Sequence, residues 1–97
     1  MRLQGNVALV TGSSKGIGRG IAERFAREGA DVVINFNSDP AGAEEAVRAA
    51  QALGVRSVAI QGDLGTVSGV RSLVAQAIAQ MGRIDVLVNN AGVEKHA

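Results

Sequence analysis

The chain contains no cysteine, which excludes disulfides and any thiolate metal site. Aromatic residues make up only 2%, Phe25 and Phe36, so a core has to be assembled from Val, Ile, Leu and Ala. Neither sign of charge dominates: 10 Lys and Arg against 9 Asp and Glu leave a formal net charge of +1. The basic residues are interleaved with acids, a pattern that supports neither a nucleic-acid-binding surface nor an anionic-membrane surface. Long hydrophobic runs are absent too. The first apolar run, Val7-Ala8-Leu9-Val10, is too short for a signal peptide or a membrane span, so a cytoplasmic protein is the default expectation.

What is present is globular composition, 46% apolar and 20% charged over 97 residues. A chain of this size is at most one small domain and buries roughly two-thirds of its unfolded surface.

The pattern along the chain alternates between strand and helix. Val7–Val10 reads as a strand buried on both faces. After a glycine-rich turn, Ile17, Ile21, Phe25 and Ala26 recur at helical spacing to about Glu28, and Gly29 suits a left-handed cap. Val32–Phe36 is a second buried strand. Asp39 fits a helix N-cap and Pro40 the first helical position, where its missing N–H costs nothing. Ala43, Ala46, Val47, Ala50 and Leu53 form the inner stripe of that helix, which Gly54 ends. Val55–Ile60 is a third strand, with Val58 and Ile60 as its buried pair. Thr66 caps a third helix whose apolar face is Val67, Val70, Leu73, Val74, Ala77 and Ile78, ended by Gly82. Ile84–Val88 is a fourth strand.

This β-α-β-α-β-α-β order predicts an α/β fold: a Rossmann-like, doubly wound parallel sheet with right-handed crossovers and strand order 3-2-1-4. Ligands of such sheets bind at the carboxyl ends of the strands. The polar, glycine-rich segments 11–18, 37–39, 61–66 and 89–92 all fall there.

The turn Thr11-Gly12-Ser13-Ser14-Lys15-Gly16-Ile17-Gly18 has the composition of a pyrophosphate cradle. A pyrophosphate needs backbone N–H donors with no side chain in the way, and a helix N-terminus supplies both donors and a favourable dipole. The spacing is not the usual Gly-x-Gly-x-x-Gly. A P-loop is excluded, because Lys15 is followed by glycine rather than preceded by it and no Ser or Thr follows. Taken alone, the turn also fits an ordinary tight strand–helix connection.

Three segments together, 11–18, Gly62-Asp63-Leu64 and Asn89-Asn90-Ala91-Gly92, resemble the short-chain dehydrogenase/reductase family. The match runs through essentially the whole chain. The tail 90–97 is similar to the glucose 1-dehydrogenase branch, and the 3-oxoacyl-acyl-carrier-protein reductase branch is nearly as similar elsewhere. The resemblance implies that Gly12, Ser14, Lys15, Gly16, Ile17 and Gly18 line the diphosphate and ribose of a nicotinamide dinucleotide. It implies that Asp63 holds the adenine amino group with Leu64 beside the ring. It places Asn90, Ala91 and Gly92 under the ribose near the nicotinamide. Each also has a plainer reading: Asp63 as a turn cap, Lys15 as a solvated lysine. Asn89 reads as structural, bridging strands through its amide, and His96 is assigned nothing.

An acid for the ribose hydroxyls of NAD is expected about twenty residues beyond the turn, near Asp39. Asp39 reads instead as the N-cap before Pro40. In the family's register the acid falls at Phe36, followed by the neutral Asn37 and Ser38, which suit a 2′-phosphate. Asn37 therefore joins the cofactor-binding set, and Lys15 adds positive charge. NADP is the expected cofactor, with NAD as the alternative.

The family's catalytic Ser, Tyr-x-x-x-Lys and Asn have no counterpart here, and the chain contains no tyrosine. No catalytic residue and no metal ligand is assigned. Residues 1–97 are thus expected to be a partial dinucleotide-binding domain, the N-terminal part of a longer enzyme and inactive alone. The parent would reduce a carbonyl or oxidise an alcohol of a small molecule, as a homotetramer, without nucleic-acid or membrane partners. A non-catalytic nucleotide-binding module and an inert fragment are the competing readings.

Overall fold

The computed structural model describes residues 2–90. Its elements are β1 (Val7–Val10), α1 (Gly16–Arg27), β2 (Asp31–Phe36), α2 (Pro40–Ala52), β3 (Ser57–Gln61), α3 (Val67–Met81) and β4 (Val86–Val88). The sheet is parallel throughout, in the order β3-β2-β1-β4. The predicted topology is thus observed. β1 lies inside the sheet, between β2 and β4, which is why its continuous apolar run is buried on both faces.

Strand alternation sorts the core into two layers. Ala8, Val10, Val32 and Ile34 face Ala22 and Ala26 of α1 and Ala43, Ala46 and Ala50 of α2. Val7, Leu9, Val33 and Ile60 face Leu73, Ala77 and Met81 of α3. Alanines dominate the first layer, which lets two helices lie close on the strands. Gly29, Gly54 and Gly82 all have positive φ at or just past the helix ends, as their positions predicted. Asp39 and Thr66 cap α2 and α3 by accepting from the N–H groups of Gly42 and Gly69 at 3.1 and 2.9 Å.

Several expectations about burial need correction. Of the six residues assigned to the apolar face of α3, only Leu73 and Ala77 are buried, and Val74 is partly so. Val67, Val70 and Ile78 are 69%, 42% and 46% exposed. The buried line is Leu73-Ala77-Met81, because a helix lying along a sheet buries one row of side chains four residues apart. The neighbouring row faces no other element among the described residues. Leu53 caps α2 and is exposed, since the helix ends one residue earlier. Ile17 also stands in solvent rather than in the α1 stripe. β3 begins at Ser57, and Val58 is only half-buried because this strand is an edge.

β4 is two residues shorter than expected, and Asp85 explains why. Its N–H donates to the Val7 carbonyl at 2.8 Å, and its carboxylate accepts from the Val7 N–H at 2.8 Å. A side chain thereby takes a donor that a longer ladder would have used. Arg83 Nε donates to the same carboxylate at 2.8 Å. The Arg83 hydrogen bond, then the Val7 N–H, hold the Asp85 carboxyl below its ordinary value.

Candidate functional site

The turn between β1 and α1 is fixed from three strands. Thr11 stays in register with β4: its N–H and its Oγ1 both donate to the Val88 carbonyl, at 3.0 and 3.2 Å. Gly12 is held on both sides. Its N–H donates to Asn35 Oδ1 at 3.0 Å, and its carbonyl accepts from Asn90 Nδ2 at 3.2 Å. Ser13 is wholly buried; its Oγ donates to the Val10 carbonyl at 2.6 Å and accepts from the Asn35 N–H at 3.0 Å. Its own N–H donates to the Asn35 carbonyl at 2.9 Å.

Asn35 is the hub of this arrangement, although its sequence position marks it only as a strand residue. Besides holding Gly12 and Ser13, its Nδ2 donates to the Ile60 carbonyl at 3.2 Å, tying β2 to β3. The local signal is a single amide set between Ile34 and Phe36 in the apolar part of the strand. A buried amide costs free energy unless its donors and acceptors are engaged, so its presence there implied a network.

Two glycines give the turn its shape. Gly12 and Gly16 have φ of 59° and 63°, the left-handed region that side chains with a Cβ resist. Gly18 serves a different need. A Cβ there would collide with the Gly12 carbonyl and with Asn90 Nδ2, so the first turn of α1 can press against the turn only without one.

The result is a helix N-terminus aimed at solvent with no side-chain cap. Lys15 occupies the N-cap position in extended conformation and makes no capping hydrogen bond, unlike Asp39 and Thr66 on the other two helices. The first N–H groups of a helix lack intrahelical partners. Lys15, Gly16 and Ile17 are all exposed there, while Ser14 and Gly18 are buried behind them. Gly12 and Ser13 have their N–H groups engaged by Asn35, so the donors that face outward belong to the residues after them. No group of His, Cys, Asp and Glu suited to a metal occurs among the described residues, and no described helix is long and apolar enough to cross a membrane.

The other assigned residues lie around the same edge of the sheet. Asn37 follows β2 and is exposed; Gln61 Nε2 donates to its carbonyl and its Oδ1 at 3.2 and 3.1 Å. Asp39 acts as the cap, as its position before Pro40 indicated. Asp63 is exposed and accepts from the Gly65 N–H at 2.8 Å, which is the turn-forming role of its plainer reading. Leu64 packs on the α3 layer and lines an open depression of about 470 Å³ with Thr66, Val67 and Val70. Asn90 is buried with its side chain against the turn. Asn89 is exposed, and its Oδ1 accepts from Thr11 Oγ1 at 3.4 Å, a bridge between the ends of β1 and β4. Ala91 and Gly92 lie outside the described residues.

Comparison with known proteins gives a consistent result. A family model described as short chain dehydrogenase matches residues 6–97. Hydroxynaphthalene reductase from Aspergillus fumigatus is 48% identical over 96% of this chain and 34% of its own length. Glucose 1-dehydrogenase 2 from Bacillus subtilis is 44% identical over 93% of this chain and 35% of its own length. A Burkholderia cenocepacia protein solved with bound NADP superposes with a TM-score of 0.88 at 36% identity, over 91% of this chain and 34% of that one. The chain spans roughly a third of the length of these relatives. Fold, turn and family model agree: the chain belongs to the short-chain dehydrogenase family.

Proposed function

We propose that this chain is the cofactor-binding part of an NAD(P)-dependent oxidoreductase that transfers hydride between NADP(H) and a carbonyl or alcohol. The observation that carries the reading is the uncapped, glycine-shaped N-terminus of α1 at the carboxyl end of β1. Oriented N–H groups and the positive end of a helix suit a pyrophosphate. Ser14, Lys15, Gly16, Ile17 and Gly18 would line it, with Gly12 shaping the turn. Leu64 would flank the adenine, and Asp63 would accept from its amino group through carboxylate capacity beyond the Gly65 bond. Asn90, Ala91 and Gly92 would support the nicotinamide ribose. When bound, the nicotinamide supplies or accepts the hydride.

The preference for NADP over NAD rests on the residues at the carboxyl end of β2. Phe36, Asn37 and Ser38 carry no charge, and the Asp39 carboxylate is engaged in capping α2. No acid is thus placed to accept from ribose hydroxyls, whereas Asn37 and the exposed Lys15 suit a 2′-phosphate. A relative solved with NADP is in line with this. The parent enzyme would act on a small molecule, glucose or a 3-oxoacyl thioester being the classes suggested by similar branches, as a cytoplasmic homotetramer.

The test is hydride transfer by the longer protein that carries this segment. Its consumption of NADPH with a carbonyl substrate is expected to saturate in cofactor. Gly16→Val, which places a β-branched residue at positive φ in the cradle, should raise KM for NADPH and leave KM for the carbonyl unchanged. Equal cofactor KM in the two forms would contradict the proposal.

A further inference from the structure

We infer that Gln61 is a positioning residue that sets the cofactor preference of this site by fixing which way the Asn37 amide points. The inference rests on the dinucleotide reading above. Gln61 is the last residue of β3 and lies directly opposite Phe36 in the parallel register, so its side chain stands beside the residue after β2. Its Nε2 carries two N–H groups, and they are directed to two oxygens of one residue: the Asn37 carbonyl at 3.2 Å and Asn37 Oδ1 at 3.1 Å.

This fixes the polarity of the Asn37 side chain. With Oδ1 turned toward Gln61, the two Nδ2 hydrogens point the other way, and they have no partner among the described residues. Reversing the amide would set Nδ2 against the Gln61 donor, two donors facing each other. A 2′-phosphate offers only acceptors and is matched by an outward NH₂ group. A ribose 2′-hydroxyl can accept from that group too, but it also donates, and the acceptor for its proton is the atom Gln61 has turned away. An asparagine by itself could serve either ligand by rotating its amide. The glutamine on the neighbouring strand removes that choice, so the selectivity is written in two residues 24 positions apart.

The experiment is titration of the full chain with NADPH and with NADH, reading the ratio of the two Kd values. Gln61→Ala should lower the preference for NADPH by about two- to tenfold, the effect of one net hydrogen bond. In an Asn37→Ala background, Gln61→Ala should leave the ratio unchanged. Both side chains are exposed, so the variants are expected to keep the thermal midpoint of the parent. An unchanged ratio in Gln61→Ala, or the same fall in the Asn37→Ala background, would overturn the inference. So would tight NADH binding with NADPH no tighter, which leaves the dinucleotide reading standing. Binding of neither cofactor would overturn both.

Discussion

Asn90 Nδ2 donates to the carbonyl of Gly12 across 78 residues of chain, at 3.2 Å. On the other side of the same residue, Asn35 Oδ1 accepts from the Gly12 N–H at 3.0 Å. The turn is therefore held by two asparagines from the strands and strand ends that flank it, not by its own glycines. Its outward N–H groups are presented by a rigid frame, and pre-organisation of that kind reduces the ordering cost of binding a ligand.

Gly18 is where the frame has least room. Gly18→Ala puts a methyl group into the Gly12 carbonyl and the Asn90 amide. It should destabilise the chain by about 1–3 kcal/mol, in the range of overpacking substitutions. Urea unfolding checks this, with Gly20→Ala as the control. Gly20 is also in α1, but a Cβ there meets nothing, so that change should be neutral or mildly stabilising.

Asn35→Leu keeps the approximate volume and removes the side-chain contacts of the hub, while the two backbone bonds to Ser13 remain. The Gly12 N–H loses its acceptor, and the Ile60 carbonyl loses its side-chain donor. A loss of about 1–3 kcal/mol is expected from the buried groups left unpaired. Hydrogen exchange at the Gly12 amide should accelerate more than exchange in the middle of α2.

Much of this was legible in the sequence, and the reasons differ by element. Strand runs, helical spacing, Asp39-Pro40 and Thr66 report local chemistry, and local chemistry gave the element order and the caps. Topology followed because parallel crossovers have one hand. Three features were not legible. The exposure of Val67, Val70 and Ile78 depends on what lies against α3, which periodicity does not encode. The role of Asn35 depends on partners 22 to 27 residues away. The early start expected for β4 failed because a side chain, that of Asp85, replaced a backbone partner. In the candidate site, the glycines marked the place, while the residues that hold it rigid were hidden by distance in the chain.

Asp85 makes stability depend on acid pH. Its folded-state carboxyl lies below the ordinary value of 3.8, lowered by Arg83 and by the Val7 N–H. Its contribution is thus fully present above that value and is lost as pH falls through the folded-state value. Asp85→Asn should be less stable than the parent at neutral pH. The gap between the two should narrow as pH is lowered below 3.8. Chemical denaturation at a series of pH values measures it; a gap that stays constant would show that the Asp85 charge does not contribute to stability.

Asp39 separates two readings of one carboxylate. As the cap of α2, Asp39→Ala should cost about 1 kcal/mol of stability. It should leave the ratio of NADPH to NADH affinity unchanged. A selective loss of NADH affinity would instead place Asp39 on the ribose.

By the reading proposed above, the N-terminus of α1 holds a dinucleotide and favours one with a 2′-phosphate. Fluorescence titration of the full chain with NADPH and NADH, beside Lys15→Ala, tests it most directly. Saturable binding is expected, tighter for NADPH, with Lys15→Ala weakening NADPH several-fold and NADH little. Absence of saturable binding would contradict the cradle, and equal or tighter NADH binding, or an NADPH affinity indifferent to Lys15, would contradict the preference.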